Sequence, residues 1–478
     1  MSAADTSLAA RLDAAPIVAL VRQALAGGEG VWIVGGAVRD AALGTEVTDL
    51  DLAVAGDPAR AAKAIAGAAD GHPFELSAEF ATWRAVAADR SWQVDVTALR
   101  GETIEADLAA RDFTLGAVAV PLGGGEPIDP HGGLADLERR VLRAVGDDSF
   151  AADPLRLLRA ARLAADLGLE VDPGTVALAR AEASRAAEPA GERQLAELRR
   201  LLGGPSPLHG LALLDELGLT AVVLPELEAL RGVEQGPNHH LDVHGHTLAV
   251  LEQTLEVEAD LERFAGERAA EVRELLDEPL ADEMTRGAAL RFGALLHDIG
   301  KPATRGEREG YVTFIGHDSE GAEIVAGICR RLRASRALTA HLRALTQHHL
   351  RLGFLVHEAP LSSRRVHEYL RATEPVAADV TLLTVADRLS ARGGGPFATE
   401  EAIEAHLQLA REMLAAALDW RRNGPPQPLV RGADLAAELG IAPGPELGEL
   451  LAELEAAQYA GEIASPKQAI ERARQLRG

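Results

Sequence analysis

The pattern of apolar and polar residues divides the chain into a mixed N-terminal part and a helical remainder. Short apolar runs separated by polar or glycine-containing turns predict strands in the first part, at residues 31–34, 49–54, 83–87, 92–97 and 113–120. From Pro154 onward, apolar residues recur at spacings of three and four, which predicts helices. The pattern therefore indicates an α+β head followed by all-α domains.

Segments rich in glycine and proline interrupt the helical pattern and indicate where domains end. They lie at 203–207, 232–238, 392–396 and 423–426. An acidic, amphipathic stretch at 257–285 predicts an exposed pair of helices. We expect four parts: a head at 1–145, a helical neck at 146–230, a third domain at 231–400 and a helical tail at 401–478.

The composition of the chain limits which partners it can bind and which cellular compartment we expect it to occupy. The 478 residues include 48 Lys and Arg against 73 Asp and Glu, and a net charge of −25 argues against indiscriminate binding of nucleic acid. Any RNA partner must be held by local arginine clusters, such as those at 330–336, 364–365 and 421–422. The single cysteine, Cys329, excludes an internal disulfide. No apolar run reaches about 18 residues and no signal-peptide pattern is present, so we expect a cytoplasmic protein without a membrane partner.

The most informative candidate site lies at the first two predicted strands. The first strand leads into Gly35 and Gly36, which open a helix that carries Arg39, and the second strand contains Asp49 and Asp51. Strand side chains alternate between faces, so the two aspartates point the same way and repel unless a divalent cation such as Mg²⁺ neutralises them. Glycines let backbone N–H groups approach a triphosphate at a helix N-terminus. Taken singly, the two motifs also fit a tight turn and a solvated strand edge.

Two further groups of residues extend this site. Asp95 lies in a predicted strand which, if it pairs antiparallel with 49–54, would complete an acidic triad for metal-assisted phosphoryl transfer. A surface acid is the alternative interpretation of Asp95. Asp153-Pro154 predicts a helix start, and the helix carries Arg156 and Arg159 on one face, where two guanidinium groups could bind a triphosphate or a base edge.

These motifs, taken in order, resemble the bacterial class II tRNA nucleotidyltransferases, which are the CCA-adding enzymes, and their relatives the poly(A) polymerases. The matching segments are Gly-Gly-Ala-Val-Arg-Asp at 35–40, Asp-x-Asp at 49–51, Arg-Asp-Phe-Thr at 111–114, Asp-Pro-x-x-Gly-x-x-Asp-Leu at 129–137 and Asp-Pro-Leu-Arg-x-x-Arg at 153–159. Residues 192–198 resemble the helical neck motif of that family. The resemblance implies a polymerase-β-like head with a small mixed sheet, Mg²⁺ as cofactor, and tRNA, CTP and ATP as partners.

The resemblance also implies a role for each matching residue. Asp49 and Asp51 would bind the catalytic metal ions, and Asp95, because of its place in the predicted strand, is the candidate for a third catalytic carboxylate. Asp153 and Arg156 would read the edge of the base. The full set of implied nucleotide-binding positions is Gly35, Gly36, Arg39, Arg111, Asp112, Asp153, Arg156 and Arg159.

The chain departs from the family pattern in ways that bear on its product. Ala110, Gly116 and Ala152 replace an arginine, an asparagine and a glutamate that family members usually carry. Fifteen residues separate Asp95 from Arg111, where CCA-adding members usually have a longer flexible loop. Relatives that add only two cytidines resemble this chain in that shortening. Addition of CC alone and addition of poly(A) therefore remain alternatives to full CCA addition.

A second set of histidines and aspartates lies in the third predicted domain. His-Asp-Ile-Gly-Lys at 297–301 follows an apolar helix and resembles the HD domain of metal-dependent phosphohydrolases. That resemblance implies a site for a divalent metal such as Mg, Mn or Ni. Its first ligand candidates are His246, His297, Asp298 and His348, with His317 and Asp387 as secondary candidates. The alternatives are a degenerate helical domain that helps to hold tRNA, and an HD phosphohydrolase whose nucleotidyltransferase head has decayed.

Overall fold

The computed structural model describes residues 8–25, 28–77, 81–396 and 398–477. The chain forms two compact units. The first contains the residues up to Pro189 together with 209–222, and the second contains 190–208 and the residues from Val223 onward.

A six-stranded mixed sheet forms the frame of the first unit. Its strands are β1 (Val31–Val34), β2 (Asp49–Val54), β3 (His72–Ser77), β4 (Thr82–Val86), β5 (Gln93–Ala98) and β6 (Ala119–Pro121), in the order β3-β4-β5-β2-β1-β6. Strands β2 and β5 pair in parallel, and the other neighbouring strands pair antiparallel. A short parallel pair, β7 (Val141–Leu142) and β8 (Glu170–Val171), lies further along the chain. The prediction of an α+β fold with a small mixed sheet is confirmed.

The first unit also contains helices, some of which pack on the two faces of this sheet. They are α1 (Leu8–Ala14), α2 (Pro16–Ala24), α3 (Gly36–Leu43), α4 (Pro58–Ala68), α5 (Ile104–Ala109), α6 (Gly133–Glu138), α7 (Ser149–Ala152), α8 (Leu155–Leu167) and α9 (Pro173–Glu182). Leu50 and Leu52 of β2 belong to the buried core that also contains apolar residues of α1 to α4. Ala53 packs on the opposite face in a smaller cluster with Leu108 of α5. This alternation places Asp49 and Asp51 on the face of β2 that is opposite the larger core.

The structure corrects two strand predictions in this unit. Residues 113–120 are not one strand, because 114–116 form a 3₁₀ turn and β6 begins only at Ala119. The backbone N–H of Thr114 donates to the carbonyl of Arg143, outside the six-stranded sheet. Strand β3 was missed although Phe74 to Ser77 alternate between apolar and polar, because Pro73 at its second position argues against a strand that is not at a sheet edge, and β3 is an edge strand.

The second unit is mainly helical. Its helices include α10 (Gly191–Gly203), and α11 (Pro207–Glu216) and α12 (Thr220–Val223) cross the boundary between the units. The helices that follow are α13 (Pro225–Glu228), α14 (Val243–Ala259), α15 (Leu261–Ala265), α16 (Ala269–Asp277), α17 (Arg286–Leu296), α18 (Lys301–Thr304), α19 (His317–Arg331), α20 (Arg336–His348), α21 (Arg351–Leu355), α22 (Ser363–Thr373), α23 (Ala377–Ser390), α24 (Glu400–Asn423), α25 (Gly432–Leu439), α26 (Pro445–Tyr459) and α27 (Pro466–Arg477). Helices α25 to α27 enclose a small core of their own.

Two short hairpins interrupt these helices. They are formed by β9 (Pro279–Ala281) with β10 (Met284–Thr285), and by β11 (Arg305–Arg308) with β12 (Tyr311–Phe314). The acidic stretch at 257–285 is therefore only partly helical, because its last residues form the first of these hairpins. No helix among the described residues combines the length and the apolar character needed to cross a bilayer.

A buried ion pair joins helices α17 and α23 at their N-terminal ends. Arg286 donates from Nε to Oδ1 of Asp379 at 3.1 Å, and its Nη2 donates to Oδ2 of the same carboxylate. The Asp379 side chain is fully buried, and Nε2 of His341 lies 3.8 Å from its Oδ1. Since Arg286 and Asp379 are the first and third residues of their helices, the pair fixes how α17 and α23 lie beside each other.

Replacing Arg286 with Met should leave the Asp379 carboxylate buried without its cation. We expect the free energy of unfolding to fall by about 3–5 kcal/mol, measured by urea denaturation followed by circular dichroism. The double variant Arg286→Met/Asp379→Leu removes both charges and should recover most of that loss. Equal destabilisation of the single and double variants would contradict a stabilising role for the pair.

Candidate active site and candidate metal centre

The turn between β1 and α3 requires glycine at position 35. Gly35 has φ +67° and ψ −131°, a backbone conformation that is essentially confined to glycine. A Cβ at this position would lie 2.8 Å from Oδ2 of Asp51. The next residue, Gly36, donates its backbone N–H to the same oxygen at 3.2 Å. The turn and the Asp51 carboxylate are therefore in direct contact at the N-terminus of α3.

The acidic residues of the site are arranged by strand pairing. Asp51 of β2 lies opposite Asp95 of β5 in the parallel register, while Leu50 between the two aspartates of β2 is buried in the core. Burial raises the pKa of Asp51, against the lowering effect of the Gly36 hydrogen bond, and the nearby Asp95 raises it further. Burial likewise raises the pKa of Asp49. A bound cation would relieve this unfavourable grouping of carboxylates, and oxygen ligands suit Mg²⁺.

The structure corrects the expected orientation of the strand that carries Asp95. That strand was expected to pair antiparallel with 49–54, but β5 is parallel to β2 and antiparallel to β4. Strand β4 consequently brings Arg84 opposite Asp95, and the guanidinium Nε and Nη2 each donate to one oxygen of the carboxylate at 2.7 Å. Both Asp95 oxygens are thus engaged by Arg84, a residue that the sequence did not single out.

Two arginines lie beside the glycine turn. Arg111 donates from Nε and Nη2 to Oδ2 of Asp107 at 3.0 and 2.9 Å, and its Nη1 would lie 3.3 Å from a Cβ at position 35. Its positive charge lowers the pKa of Asp51. Arg39, in the first turn of α3, donates to Asp40 at 2.7 Å. The turn therefore combines half-buried cations with a helix N-terminus, which favours an anionic ligand.

The remaining predicted nucleotide-binding residues lie in α8 or in contact with its N-terminal part. Asp153 accepts a hydrogen bond from the backbone N–H of Leu155 at 3.1 Å, and Nε of Arg159 lies 2.8 Å from Oδ2 of Asp112. Arg156 has a different environment, because its guanidinium donates to three backbone carbonyls, those of Ala110, Arg111 and Ser149. Burial lowers the pKa of Arg156. Its hydrogen bonds tie α8 to the segment that carries Arg111.

The motif at 129–137 organises the backbone behind the site. Asp129 accepts hydrogen bonds from the N–H groups of Gly133 and Leu134 at 2.7 and 2.9 Å, at the start of α6. A Cβ on Gly133 would lie 2.0 Å from the carbonyl oxygen of Thr114, so only glycine allows this approach. The Thr114 hydroxyl donates to the buried Asp136 at 2.8 Å. These contacts position the segment after Arg111 rather than contributing side chains to the site.

In the second unit, one buried aspartate lies at the centre of a cluster of histidines. Nε2 of His297 lies 3.1 Å and Nε2 of His246 lies 3.6 Å from Oδ2 of Asp298. Nε2 of His317 lies 3.2 Å and Nε2 of His349 lies 3.6 Å from Oδ1 of the same aspartate. Burial raises the pKa of Asp298, but His297 and Lys301 outweigh it and hold that pKa well below its usual range.

The side chains of this cluster form two groups. Within each group, the atoms that could bind a metal ion all lie within 4.8 Å of one another. One group is His246, His297 and Asp387, and the other is Asp298, His317 and His349. The buried Nε2 atoms of His246 and His297 point at carboxylate oxygens without making hydrogen bonds of normal geometry. Imidazole nitrogens and carboxylates held in this way fit a divalent metal ion.

The structure corrects one of the ligand predictions. His348 was expected to be a ligand, but its Nδ1 accepts a hydrogen bond from Nε of Arg351 at 3.0 Å, and it belongs to neither group. Its neighbour His349, which is fully buried, belongs to the cluster instead of His348. Adjacent residues of a helix differ by about 100° in direction, so the two histidines cannot face the same centre.

The structure explains why the His-Asp-x-Gly-Lys motif contains a glycine and a lysine. A Cβ on Gly300 would lie 2.2 Å from the carbonyl oxygen of His317, so the glycine lets the start of α19 approach the motif. Lys301 is buried, and its Nζ lies 2.6 Å from Oδ2 of Asp298 and donates to Gln235 at 2.6 Å. No pattern in the sequence selected His239, whose ring packs 4.5 Å from that of His246 and whose pKa burial lowers to about 3.

Family models match most of this chain. A Poly A polymerase head domain matches residues 31–143, and an HD domain matches 243–392. A family described as the probable RNA and SrmB-binding site of polymerase A matches 168–230, and one described as a putative domain 2 of tRNA nucleotidyltransferase matches 425–473. The fold and the two candidate sites thus define a nucleotidyltransferase whose polymerase-type head is joined to an HD domain.

Individual relatives narrow this class. The chain is 36% identical over 447 residues to the A-adding tRNA nucleotidyltransferase of Deinococcus radiodurans, over 92% of this chain and 94% of that protein. It is 34% identical to the CC-adding tRNA nucleotidyltransferase of Thermus thermophilus, over 91% of each. A solved Thermotoga maritima CCA-adding enzyme complexed with tRNA has a TM-score of 0.60 at 20% identity, over 98% of each chain, which is a likeness of fold. This chain belongs to the tRNA nucleotidyltransferase family.

The contact between the glycine turn and Asp51 leads to a specific expectation. In a Gly35→Ala variant the side chain would meet Oδ2 of Asp51 and the backbone would be strained, so we expect a loss of about 1–3 kcal/mol in stability. We also expect a clear decrease in nucleotide incorporation, because the carboxylate must move. Thermal unfolding and incorporation of labelled nucleotide measure the two effects.

Gly56→Ala is the matched control for this variant. A Cβ on Gly56 would meet no atom of the described residues within 4 Å, and Gly56 does not have a positive φ. Both measurements should therefore stay at the level of the unmodified protein. Full incorporation by Gly35→Ala would contradict the proposed importance of this contact.

Proposed function

We propose that this protein transfers nucleotides from CTP or ATP to the 3′ end of tRNA without a nucleic-acid template. The observation that carries the proposal is the contact of Asp51 with the glycine turn, opposite Asp95 in the parallel pair of strands. It sets carboxylates beside an anion-binding helix terminus. In the reaction, the 3′ hydroxyl oxygen of the RNA bonds to the α-phosphorus, and the bond to pyrophosphate breaks.

Asp49 and Asp51 are the proposed ligands for Mg²⁺ in the head. When bound, Mg²⁺ would activate the attacking hydroxyl and stabilise the charge of the leaving pyrophosphate. The triphosphate would lie at the N-terminus of α3, where Gly35 and Gly36 offer backbone and Arg39 and Arg111 offer positive charge. Asp95 would join Asp49 and Asp51 through the oxygen lone pairs that its two hydrogen bonds from Arg84 leave available.

Base recognition is proposed for Asp153 and Arg156, with Arg159 and Asp112 beside them. An aspartate and an arginine together offer acceptors and donors to the edges of cytosine and adenine. Arg156 uses three of its five N–H groups in hydrogen bonds to backbone carbonyls, two from Nη1 and one from Nη2, so the N–H of Nε and the second N–H of Nη2 would be the donors to a base.

The identity of the added nucleotides depends on the segment between Asp95 and Arg111. This segment forms α5, and Asp107 of α5 binds both the Arg111 guanidinium and the backbone N–H of Arg100. An ordered helix in place of a long loop favours addition of CC alone. The relatives are named for three products, A, CC and CCA, at 32–36% identity, so identity does not choose between them.

The proposal includes the arrangement of the chain around this reaction. We retain the division into head, neck, HD domain and tail, with tRNA bound by local arginine clusters because the net charge is −25. The single thiol, Cys329, is buried and free, which fits the cytoplasmic location predicted from the sequence.

The histidine cluster favours a second activity, metal-dependent hydrolysis of a phosphate ester in the HD domain. We propose that His246, His297, Asp298 and Asp387 hold a divalent ion such as Mg, Mn or Ni there. The support for this is the burial of both histidines and the short distances of their Nε2 atoms from the carboxylates. The activity would be independent of nucleotide addition.

An extension assay tests the main proposal. Purified protein is given tRNA that ends at the discriminator base, at C or at CC, together with Mg²⁺ and labelled CTP or ATP. We expect addition of two cytidines to the first substrate, and Asp51→Asn should reduce incorporation by at least about 10²-fold because a proposed metal ligand is lost. Addition of A alone, of full CCA or of a long adenosine tail would each replace the CC assignment.

Glu46→Gln is the matched control for Asp51→Asn. Glu46 is an exposed acid three residues before Asp49, so its neutralisation should leave incorporation unchanged. Incorporation by Asp51→Asn at the level of this control would remove the proposed role of the carboxylate.

The HD proposal has its own test. His297→Ala should abolish metal-dependent release of phosphate from a generic phosphate ester, while tRNA extension by the head continues at its normal rate. The assay compares phosphate release with and without added Ni²⁺ or Mn²⁺. Release that persists in the variant would contradict hydrolysis at this site.

A further inference from the structure

We propose that the second unit binds a small oxyanion in a cavity lined by residues of helices α17, α23 and α24. The cavity has a volume of about 190 Å³, and its lining includes Arg286 of α17, Ala377 and Ala378 of α23, and Trp420 of α24. That volume has room for several groups of the size of a water molecule. None of the residues assigned above to the two candidate centres lines it, so the inference does not rest on the proposed function.

The buried guanidinium of Arg286 offers the first hydrogen-bond donors. The side chain is only 9% exposed, and its Nε and Nη2 both donate to Asp379. The remaining nitrogen, Nη1, lies on the edge of the planar group away from that carboxylate, and it makes no hydrogen bond to the described residues. Two N–H groups of a buried cation in the wall of the cavity are thus left without an acceptor.

The indole of Trp420 adds another donor without an acceptor. The residue is buried and lines the cavity, and its Nε1–H has no hydrogen-bond partner among the residues that the structure describes. The ring itself is fixed by contacts with His367 and Tyr459, at centroid distances of 5.6 and 5.7 Å. A buried indole N–H usually has a hydrogen-bond partner, so its absence here indicates a ligand that carries acceptors.

Helix α23 begins at the same cavity. The first N–H groups of a helix have no partner within it, and the N-cap residue here, Val376, has no side chain that could accept from them. Ala377 and Ala378, which carry two of these N–H groups, line the cavity. The positive end of the helix dipole therefore favours a negative charge at the place where the donors of Arg286 and Trp420 also lie.

The acidic side chains near the cavity are already paired with arginines. Glu374 is the only acidic residue of the lining, and its Oε2 accepts from Nη1 of Arg371 at 2.9 Å. The exposed Arg421 of the lining donates to Glu278, and Asp379 is occupied by the buried guanidinium. Among the buried residues of the lining, the polar groups left unpaired are therefore N–H donors. A compact anion with several acceptor oxygens, such as inorganic phosphate or sulfate, fits them.

A bound oxyanion would connect three helices of the HD domain. It would accept from Arg286 of α17, from the first turn of α23 and from Trp420 of α24. Helix α17 leads to His297 and α23 carries Asp387, so the anion would stabilise the frame of the candidate metal centre without contacting its ligands. A ligand that binds only the folded chain raises its stability as the ligand concentration rises.

Thermal unfolding of the full-length chain in the presence of phosphate tests the inference. Sodium phosphate is titrated at constant ionic strength, which is held with sodium chloride, and sulfate is titrated in the same way. We expect a saturable rise in Tm of about 2–4 °C. Trp420→Phe removes one donor but keeps an aromatic ring, so it should raise the half-saturating phosphate concentration by about 10-fold. Arg286→Met/Asp379→Leu should abolish the rise, and circular dichroism checks that each variant folds.

Trp92→Phe is the matched control for Trp420→Phe. Trp92 is also partly buried, but it packs against the core of the head and does not line this cavity. Its replacement should therefore leave the phosphate-dependent rise in Tm and the half-saturating concentration as they are in the unmodified protein.

Three results would overturn the inference. The first is that neither phosphate nor sulfate gives a saturable rise in the unmodified protein. The second is an identical titration for the unmodified protein, Trp420→Phe and the double variant, which would place the bound anion elsewhere. The third is that cytidine monophosphate stabilises as strongly as phosphate and loses this effect in Trp420→Phe, which would replace the free oxyanion by a phosphate ester. Nucleotide addition is measured separately by the extension assay, so none of these results decides the proposed function.

Discussion

The parallel pairing of β2 with β5 is the constraint on which the head depends. It sets Asp51 beside Asp95, while the alternation along β2 keeps Leu50 and Leu52 in the core. A shift of one residue in this register would turn the carboxylates into the core and the leucines outward, so burial of the apolar face fixes the acidic face as well. The glycine turn before α3 then brings a backbone N–H to Asp51, which joins the acidic group to a helix terminus suited to phosphate.

In the HD domain, too, a carboxylate must be stabilised by its neighbours, but there the neighbours are a lysine and several histidines. Asp298 is buried, and a buried carboxylate is costly unless positive charge or hydrogen-bond donors surround it. Lys301 supplies one charge, and histidines oriented by backbone carbonyls surround the rest of the carboxylate. The ion pair of Arg286 and Asp379 fixes α17 against α23, the helices that lead to His297 and carry Asp387. A rigid frame of this kind holds ligands in place before any metal binds.

Several motif residues act on the backbone rather than on a ligand. Gly133 and Gly300 each allow a carbonyl oxygen of another segment to approach closer than any side chain would permit. Asp129 satisfies the first N–H groups of α6, and Arg156 satisfies carbonyls of the segment that carries Arg111. A family motif therefore marks both the residues that would meet the substrate and those that shape the chain behind them. Sequence patterns alone do not separate these two roles.

The amino-acid sequence by itself determined the α+β head with its helical continuation and the common face of Asp49 and Asp51, both of which follow from local periodicity. His246, His297, Asp298, His317 and Asp387 were named as candidate metal ligands through the resemblance to the HD domain. Only the tertiary structure decided that β5 runs parallel to β2, that Arg84 binds Asp95, and that His349 rather than His348 joins the cluster. The reason is physical: strand partners are chosen by packing between distant segments, and neighbouring histidines are distinguished only by the direction in which a helix presents each side chain to the groups around it.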